Sequence, residues 1–130
     1  MELTTPAKDG FFMPGEFEEH DGCIMIWPER PGSWAYGAAA ARKAFAEIAA
    51  AISESESVYM LVNDRTAESA RQLLPEKIRL INIDTDDAWA RDMCPTFVKN
   101  NFGKIRGVEW EFNAWGGDFD GLYKSWDKDN

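Results

Sequence analysis

The hydrophobic patterning of the chain predicts an α/β protein with a mixed sheet, and three observations carry that prediction. Short, continuous apolar runs recur along the chain, the pattern of strands buried on both faces. Between them lies helical periodicity, with apolar side chains at i, i+3, i+4 and i+7. Further on, two strand-like segments flank a glycine-containing turn, the signature of an antiparallel hairpin.

Taken in order, Gly22-Cys23-Ile24-Met25-Ile26-Trp27 is the first strand, apolar throughout and stopped by Pro28. After a loop from Pro28 to Trp34, Phe45, Ile48, Ala49 and Ile52 fall on one face of a helix from about residue 38 to 53. Val58 to Val62 is the second strand. Asn63 or Asp64 can cap a helix that turns Ala67, Ala70 and Leu74 inward and stops at Pro75. Ile78 to Ile83 is the third strand. Pro95 to Lys99 and Ile105 to Phe112 form the hairpin, with Gly103 free to take positive φ in its turn. The closing stretch from Asn113 to Asn130 is rich in Gly and Asp without a clear period and reads as loop. No repeat or flexible linker divides the chain, so residues 1–130 are expected to form a single domain.

Composition narrows the functional classes. With 45% hydrophobic and 28% charged residues, the chain matches ordinary globular usage, which excludes disorder and collagen-like repeats. Asp and Glu number 23 against 14 Lys and Arg, a net charge of −9 that repels phosphate backbones and anionic membranes. Neither nucleic acid nor a membrane is an expected partner. No apolar run approaches the roughly 18 residues of a membrane span. The start, Met1-Glu2-Leu3-Thr4-Thr5-Pro6, lacks a basic region followed by an apolar one, so a cytoplasmic address is expected. Cys23 and Cys94 form no CxxC pair and suggest reduced thiols rather than a zinc site or a disulfide.

The densest polar constellation is Asp84-Thr85-Asp86-Asp87-Ala88-Trp89-Ala90-Arg91-Asp92, directly after the third strand, where α/β sheets place their ligand loops. Carboxylates pair with a planar amidinium or guanidinium, and an indole face adds cation–π attraction. The same residues equally suit a structural role, with the Asp side chains capping turns and Trp89 in the core. A calcium loop is excluded, because Ala88 and Trp89 stand where a ligand and a glycine would be needed. His20 precedes Cys23 by three residues, but in extended chain the two point to opposite faces, which argues against a thiol–imidazole pair. Around Cys94, Asp92 and other carboxylates would raise the thiol pKa rather than depress it. No GxGxxG, Walker loop or GxSxG elbow is present.

Four separated segments carry more information than their spacing: MPGEFEEHDGCIMIWPERPGSW, DDAWARDMCPTF, RGVEWEFNAWGG and DGLYKSWDKD. In this order they strongly resemble the amino-terminal part of the agmatine deiminases, relatives of the porphyromonad-type peptidyl-arginine deiminases. The resemblance implies a pentein-type α/β propeller, a ring of ββαβ modules with a mixed sheet, of which this chain supplies about one module and part of a second. It implies hydrolysis of agmatine to N-carbamoylputrescine and ammonia, in putrescine biosynthesis. A cysteine thiolate attacks the guanidinium carbon, ammonia leaves with help from a histidine, and water cleaves the thioether. No metal or organic cofactor is implied.

In the W-x-R-D motif the resemblance assigns guanidinium binding to Asp92 and a pocket wall to Trp89, and Trp115 of NAWGG is a further wall. The family's nucleophilic cysteine and histidine lie beyond Asn130, and neither Cys23 nor Cys94 matches the nucleophile. The chain alone is therefore expected to supply part of the guanidinium-binding pocket without turning substrate over. Two alternatives remain open: peptidyl-arginine as substrate, or a noncatalytic acidic module that binds a cation or a protein. Self-association through faces that a closed ring would cover is expected.

Overall fold

A computed structural model describes residues 4–130, so the opening Met1-Glu2-Leu3 lies outside the described residues. Strand β1 (Phe11–Phe12) precedes β2 (Gly22–Ile26), which leads through helix α1 (Ala39–Ile52) to β3 (Ser57–Val62). Helix α2 (Asp64–Leu73) connects to β4 (Arg79–Asn82), and a single turn, α3 (Ala90–Met93), precedes β5 (Thr96–Asn100) and β6 (Ile105–Val108). A last turn, α4 (Gly117–Asp120), and a 3-10 turn at Asp127–Asp129 close the chain.

The strands divide into two sheets. β2, β3 and β4 are parallel in that order, while β1, β5 and β6 are antiparallel in the order β1-β5-β6. The α/β class stands, but both strand directions do not share one sheet. The parallel half follows from its connections, since α1 and α2 are the crossovers that return the chain to the same edge. In β3, Val58, Met60 and Val62 are buried while the residues between them are not, the period-two signature of a strand covered mainly on one face. Against that face pack Ala46 and Ala49 of α1 and Ala70 of α2, whose small side chains let the helices approach closely. Trp27, Leu74 and Ile78 complete this core.

Several expectations are corrected. β2 is an edge strand and only Ile26 within it is fully buried, so its unbroken apolar sequence does not report cover on both faces. Ile48 is exposed, and Ala46 takes the buried position that the helical reading gave it. Asn63 stands at the start of α2 without capping it; its side-chain amide instead donates to the Thr85 carbonyl at 3.3 Å. β6 ends at Val108, four residues short of Phe112. The stretch after Asn113 is not plain loop, since it holds α4, the 3-10 turn and a buried Asp129. β1 was not anticipated at all, because two residues carry no period and its partner is Asn100 on β5. Gly103 does take the left-handed φ of 75° in the hairpin turn.

Glu29, just after β2, ties the ends of two parallel strands together. Its carboxylate accepts the Asn63 backbone N–H at 3.3 Å and the Thr66 hydroxyl, and pairs with Arg65 at 3.2 Å. Burial opposes its ionised form, yet these donors hold the carboxyl below the ordinary glutamate range. A carboxyl depressed on folding binds fewer protons in the folded state, so it stabilises above the unfolded pKa and that stability is lost as pH falls through the folded value. Below about pH 4.3 the chain is expected to lose stability with a component that Glu29→Gln lacks. Denaturant unfolding at stepped pH measures it, and identical pH slopes in the two proteins would refute the role of Glu29.

Candidate functional site

The carboxyl ends of β2, β3 and β4 converge on one polar cluster, the place where α/β sheets assemble ligand sites. Arg30 follows β2, and Asp84 to Asp87 follow β4. Arg30 is 8% exposed, Asp87 2% and Asp129 4%. Arg30 Nε lies 3.0 Å from Asp87 Oδ2, a charge contact without hydrogen-bond alignment, and Nη2 lies 3.3 Å from Asp129 Oδ2. Nη2 also donates to the Ser125 carbonyl at 2.9 Å, and the guanidinium carbon sits 4.1 Å from the Tyr123 ring centre. Burial pushes the Asp129 carboxyl up, while backbone N–H groups of Asp86 and Asp87 donate to its Oδ1 at 2.7 and 3.0 Å and pull it back.

Beside this cluster the three residues expected to form the pocket come together. Trp89 precedes α3, and its carbonyl accepts the Asp92 N–H at 3.0 Å, so the one-turn helix fixes their spacing. Trp115 Nε1 donates to Asp92 Oδ1 at 3.1 Å, and the Trp89 and Trp115 rings meet edge to face with centroids 6.5 Å apart. Trp89 is 43% and Trp115 45% exposed, which excludes the core reading of Trp89. Trp34 stacks on Trp89 at 6.3 Å, and Phe112 and Tyr123 meet Trp115 edge-on at 5.0 and 6.4 Å.

Trp115 is held by an unusual backbone. Ala114 and Trp115 have φ of 51° and 60°, a left-handed pair without glycine that costs roughly 1 to 2 kcal/mol per residue. Buried Ala114 anchors the turn, its carbonyl accepting the Leu122 N–H at 2.9 Å. The Asn113 carbonyl accepts the N–H groups of Gly116 and Gly117 at 3.2 and 2.6 Å. The result is an exposed carboxylate flanked by two indoles, with Asp92 Oδ1 fixed and, among the described residues, no hydrogen bond to Oδ2. That arrangement can receive a flat cation.

The Asp run divides its labour in a way the sequence did not reveal. Asp87 is locked to Arg30, its Oδ1 accepting the Ala88 N–H at 2.9 Å, while Asp84 pairs with Lys128 at 3.2 Å. Trp34, Tyr123, Phe112, Arg30 and Asp129 were not anticipated as neighbours of the site. The signal available was that the arginine and tryptophan of WPERPGSW and the tyrosine of DGLYKSWDKD stand in the segments that carry the family resemblance. His20 Nε2 contacts the Glu16 carbonyl at 2.8 Å and Nδ1 lies 3.7 Å from Glu56. Burial, aided at Cys23 by Glu56, raises both thiol pKa values; for Cys94 the cause is burial rather than the carboxylates expected to do it. Among the described residues no group of three or more His, Cys, Asp or Glu is placed to hold a metal, and no helix is long and apolar enough to cross a membrane.

Comparison with known proteins accords with this geometry. The structure matches an agmatine deiminase of Enterococcus faecalis with a TM-score of 0.95 and 46% identity, over 99% of this chain and 35% of that one. A crystal structure titled as a candidate peptidyl-arginine deiminase matches with a TM-score of 0.74 at 28% identity, over 92% of this chain and 34% of that one. The fold class is thus the pentein-type α/β propeller, of which the chain represents a part. The family model for Porphyromonas-type peptidyl-arginine deiminases matches residues 12–130, and the chain belongs to that family. Candidate agmatine deiminases of Listeria monocytogenes and Mycoplasma capricolum are each 55% identical to it over 98% of its length. The chain spans 35% of the length of these relatives.

Gly121 closes the turn that carries Trp115, and a Cβ there would collide with the Gly117 carbonyl oxygen. Gly121→Ala is expected to destabilise the turn by about 1 to 3 kcal/mol and to shift tryptophan fluorescence while the β3 core stays folded. An unchanged emission spectrum would show that the turn tolerates the methyl group.

Proposed function

We propose that this chain is the part of an agmatine deiminase that receives the guanidinium head of the substrate. The parent reaction is hydrolysis of agmatine to N-carbamoylputrescine and ammonia. The observation that carries the reading is the hydrogen bond from Trp115 Nε1 to Asp92 Oδ1 beside the exposed Trp89 ring. With Oδ1 fixed, Asp92 Oδ2 accepts a guanidinium N–H, which orients the substrate and keeps it cationic, so the carbon under attack stays electrophilic. Trp89 supplies a face for cation–π attraction of about 0.5 to 2 kcal/mol, and Trp115, edge-to-face with that ring, supplies an adjoining wall. The nucleophilic cysteine and the histidine belong to portions of the relatives that this chain does not cover, and Cys23 and Cys94, with raised pKa values, are not that nucleophile. On this reading the chain alone binds agmatine without releasing ammonia, and it needs no cofactor.

Agmatine is favoured over peptidyl-arginine because the agmatine deiminase of Enterococcus faecalis and the candidate agmatine deiminases of Listeria monocytogenes and Mycoplasma capricolum stand at 46% to 55% identity, against 28% for the candidate peptidyl-arginine deiminase described above. Residues 1–130 act as one domain, for which the ties from Arg30 to Ser125 and Asp129 are the support. The two free cysteines fit a cytoplasmic setting, and the net charge of −9 disfavours nucleic acid. Edge strand β4 leaves Ile81 and, just beyond it, Ile83 exposed, which supports self-association through that face rather than through β2.

Calorimetry on the chain is expected to give heat with agmatine that putrescine, which lacks the guanidinium, does not reproduce. In a family-length protein carrying this segment, Asp92→Asn is expected to lower turnover roughly ten- to a hundredfold, the equivalent of losing a charged hydrogen bond, whereas Asp84→Asn has little effect. Equal heats for the two amines, or equal damage from the two substitutions, would end this reading.

For assembly, light scattering coupled to size exclusion is expected to find dimers or larger species that dissociate with Ile81→Lys. A monomer at every concentration would dismiss the exposed β4 edge as an interface.

A further inference from the structure

Arg30 is the most buried cation of the site, and its surroundings repeat the chemistry proposed for the substrate pocket. Its guanidinium lies between the carboxylates of Asp87 and Asp129, at 3.0 and 3.3 Å, with the Tyr123 ring 4.1 Å from its carbon. Each of these contacts reaches a different part of the site. Asp87 stands two residues before Trp89, on the loop that leads into α3 and Asp92. Tyr123 meets the Trp115 ring, and its hydroxyl is 3.0 Å from that of Ser33. Ser125 and Asp129 hold the segment that follows the Trp115 turn.

We propose that Arg30 is a positioning residue for the guanidinium pocket: by bridging Asp87 to the Tyr123–Asp129 segment, it sets the approach of Trp115 to Asp92. The proposal rests on the reading that Trp89, Asp92 and Trp115 receive a guanidinium. A planar cation is needed because two carboxylates, a carbonyl and a ring face must be met at once, in directions that a point-like ammonium cannot satisfy together. Without it, Asp87 and Asp129 face each other as buried like charges, and their repulsion separates the two segments.

The Trp115 indole N–H donates to Asp92, so its proton–nitrogen resonance reads the approach directly and without substrate. The resonance is assigned by its loss in Trp115→Phe. In the 130-residue chain, Arg30→Ala is expected to move it to the position of a solvent-exposed indole, and Arg30→Lys to leave it displaced. Free guanidinium, far below denaturing concentrations, is expected to return it in Arg30→Ala, where sodium at equal ionic strength does not. A wild-type resonance in a folded Arg30→Ala protein overturns the proposal, and so does equal recovery with sodium. If Arg30→Ala does not fold, Asp129→Asn carries the test, since it removes a charge that Arg30 meets at a residue with no recorded contact to the Trp115 ring: a displaced Trp115 resonance supports the bridge and an unmoved one overturns it. The substrate reading fails separately, by agmatine leaving the Trp89 and Trp115 resonances of the unmutated chain unmoved.

Discussion

The buried contact of Arg30 with Asp87 and Asp129 is the constraint on which the rest of the site depends. Taking one cation and two anions out of water is costly, and mutual attraction offsets that cost only when the remaining polar atoms are satisfied. Here the surplus negative charge is met by the protein backbone, since Asp129 Oδ1 accepts two successive N–H groups from the loop after β4. That loop therefore cannot move without stranding a buried carboxylate. Deleting one member of such a cluster costs about 3 to 5 kcal/mol, more than the turns that hang from it could recover by relaxing. An acid on the segment that follows the Trp115 turn thereby becomes part of the interior.

The same constraint decides which aspartate is left without a cationic partner among the described residues. Four carboxylates follow β4 or lie close behind it, yet they are not equivalent. Asp87 is committed to Arg30, and Asp84 and Asp86 are engaged by the side chain and the backbone N–H of Lys128. Asp92 escapes these partners because α3 intervenes: one helical turn carries it away from the buried cluster and toward Trp115. A run that reads in sequence as one acidic patch is, in three dimensions, a support with one exposed carboxylate, Asp92, whose side-chain partner among the described residues is an indole rather than a cation.

How much of this could be read from the chain follows the range of the interactions involved. β3, α1 and α2 were legible because their signals are local: alternation in Val58, Met60 and Val62, and small or apolar residues at helical spacing. The division into two sheets was not, since β1 reaches β5 across most of the chain and strand pairing leaves no mark on two isolated phenylalanines. The edge position of β2 was hidden for the same reason, because its apolar sequence is unchanged whether neighbours flank it or not. Asp92, Trp89 and Trp115 emerged from motif resemblance rather than from periodicity. Arg30 did not emerge, because its partner Asp129 is 99 residues away and nothing near either residue announces the other.

The tryptophans show that the exposed cluster is a choice the fold maintains against ordinary packing. Trp27 is 1% exposed and lies in the core, where a large apolar surface contributes most, at about 25 cal/mol per Å2. Trp89 and Trp115 forgo nearly half of that gain. Trp115 also sits on a left-handed backbone that an alanine neighbour shares, so the strain is not relieved by glycine where it is greatest. Neither feature improves the stability of this chain, and both are held in place by a buried ion cluster that is itself costly to desolvate. Local strain and unburied aromatic surface persist together where a structure must keep a binding face ready before its ligand arrives, since a preformed site avoids the ordering cost at the moment of binding. The carboxylate of Asp92, pinned at one oxygen and, among the described residues, without a hydrogen bond at the other, is the feature around which the proposed face is built.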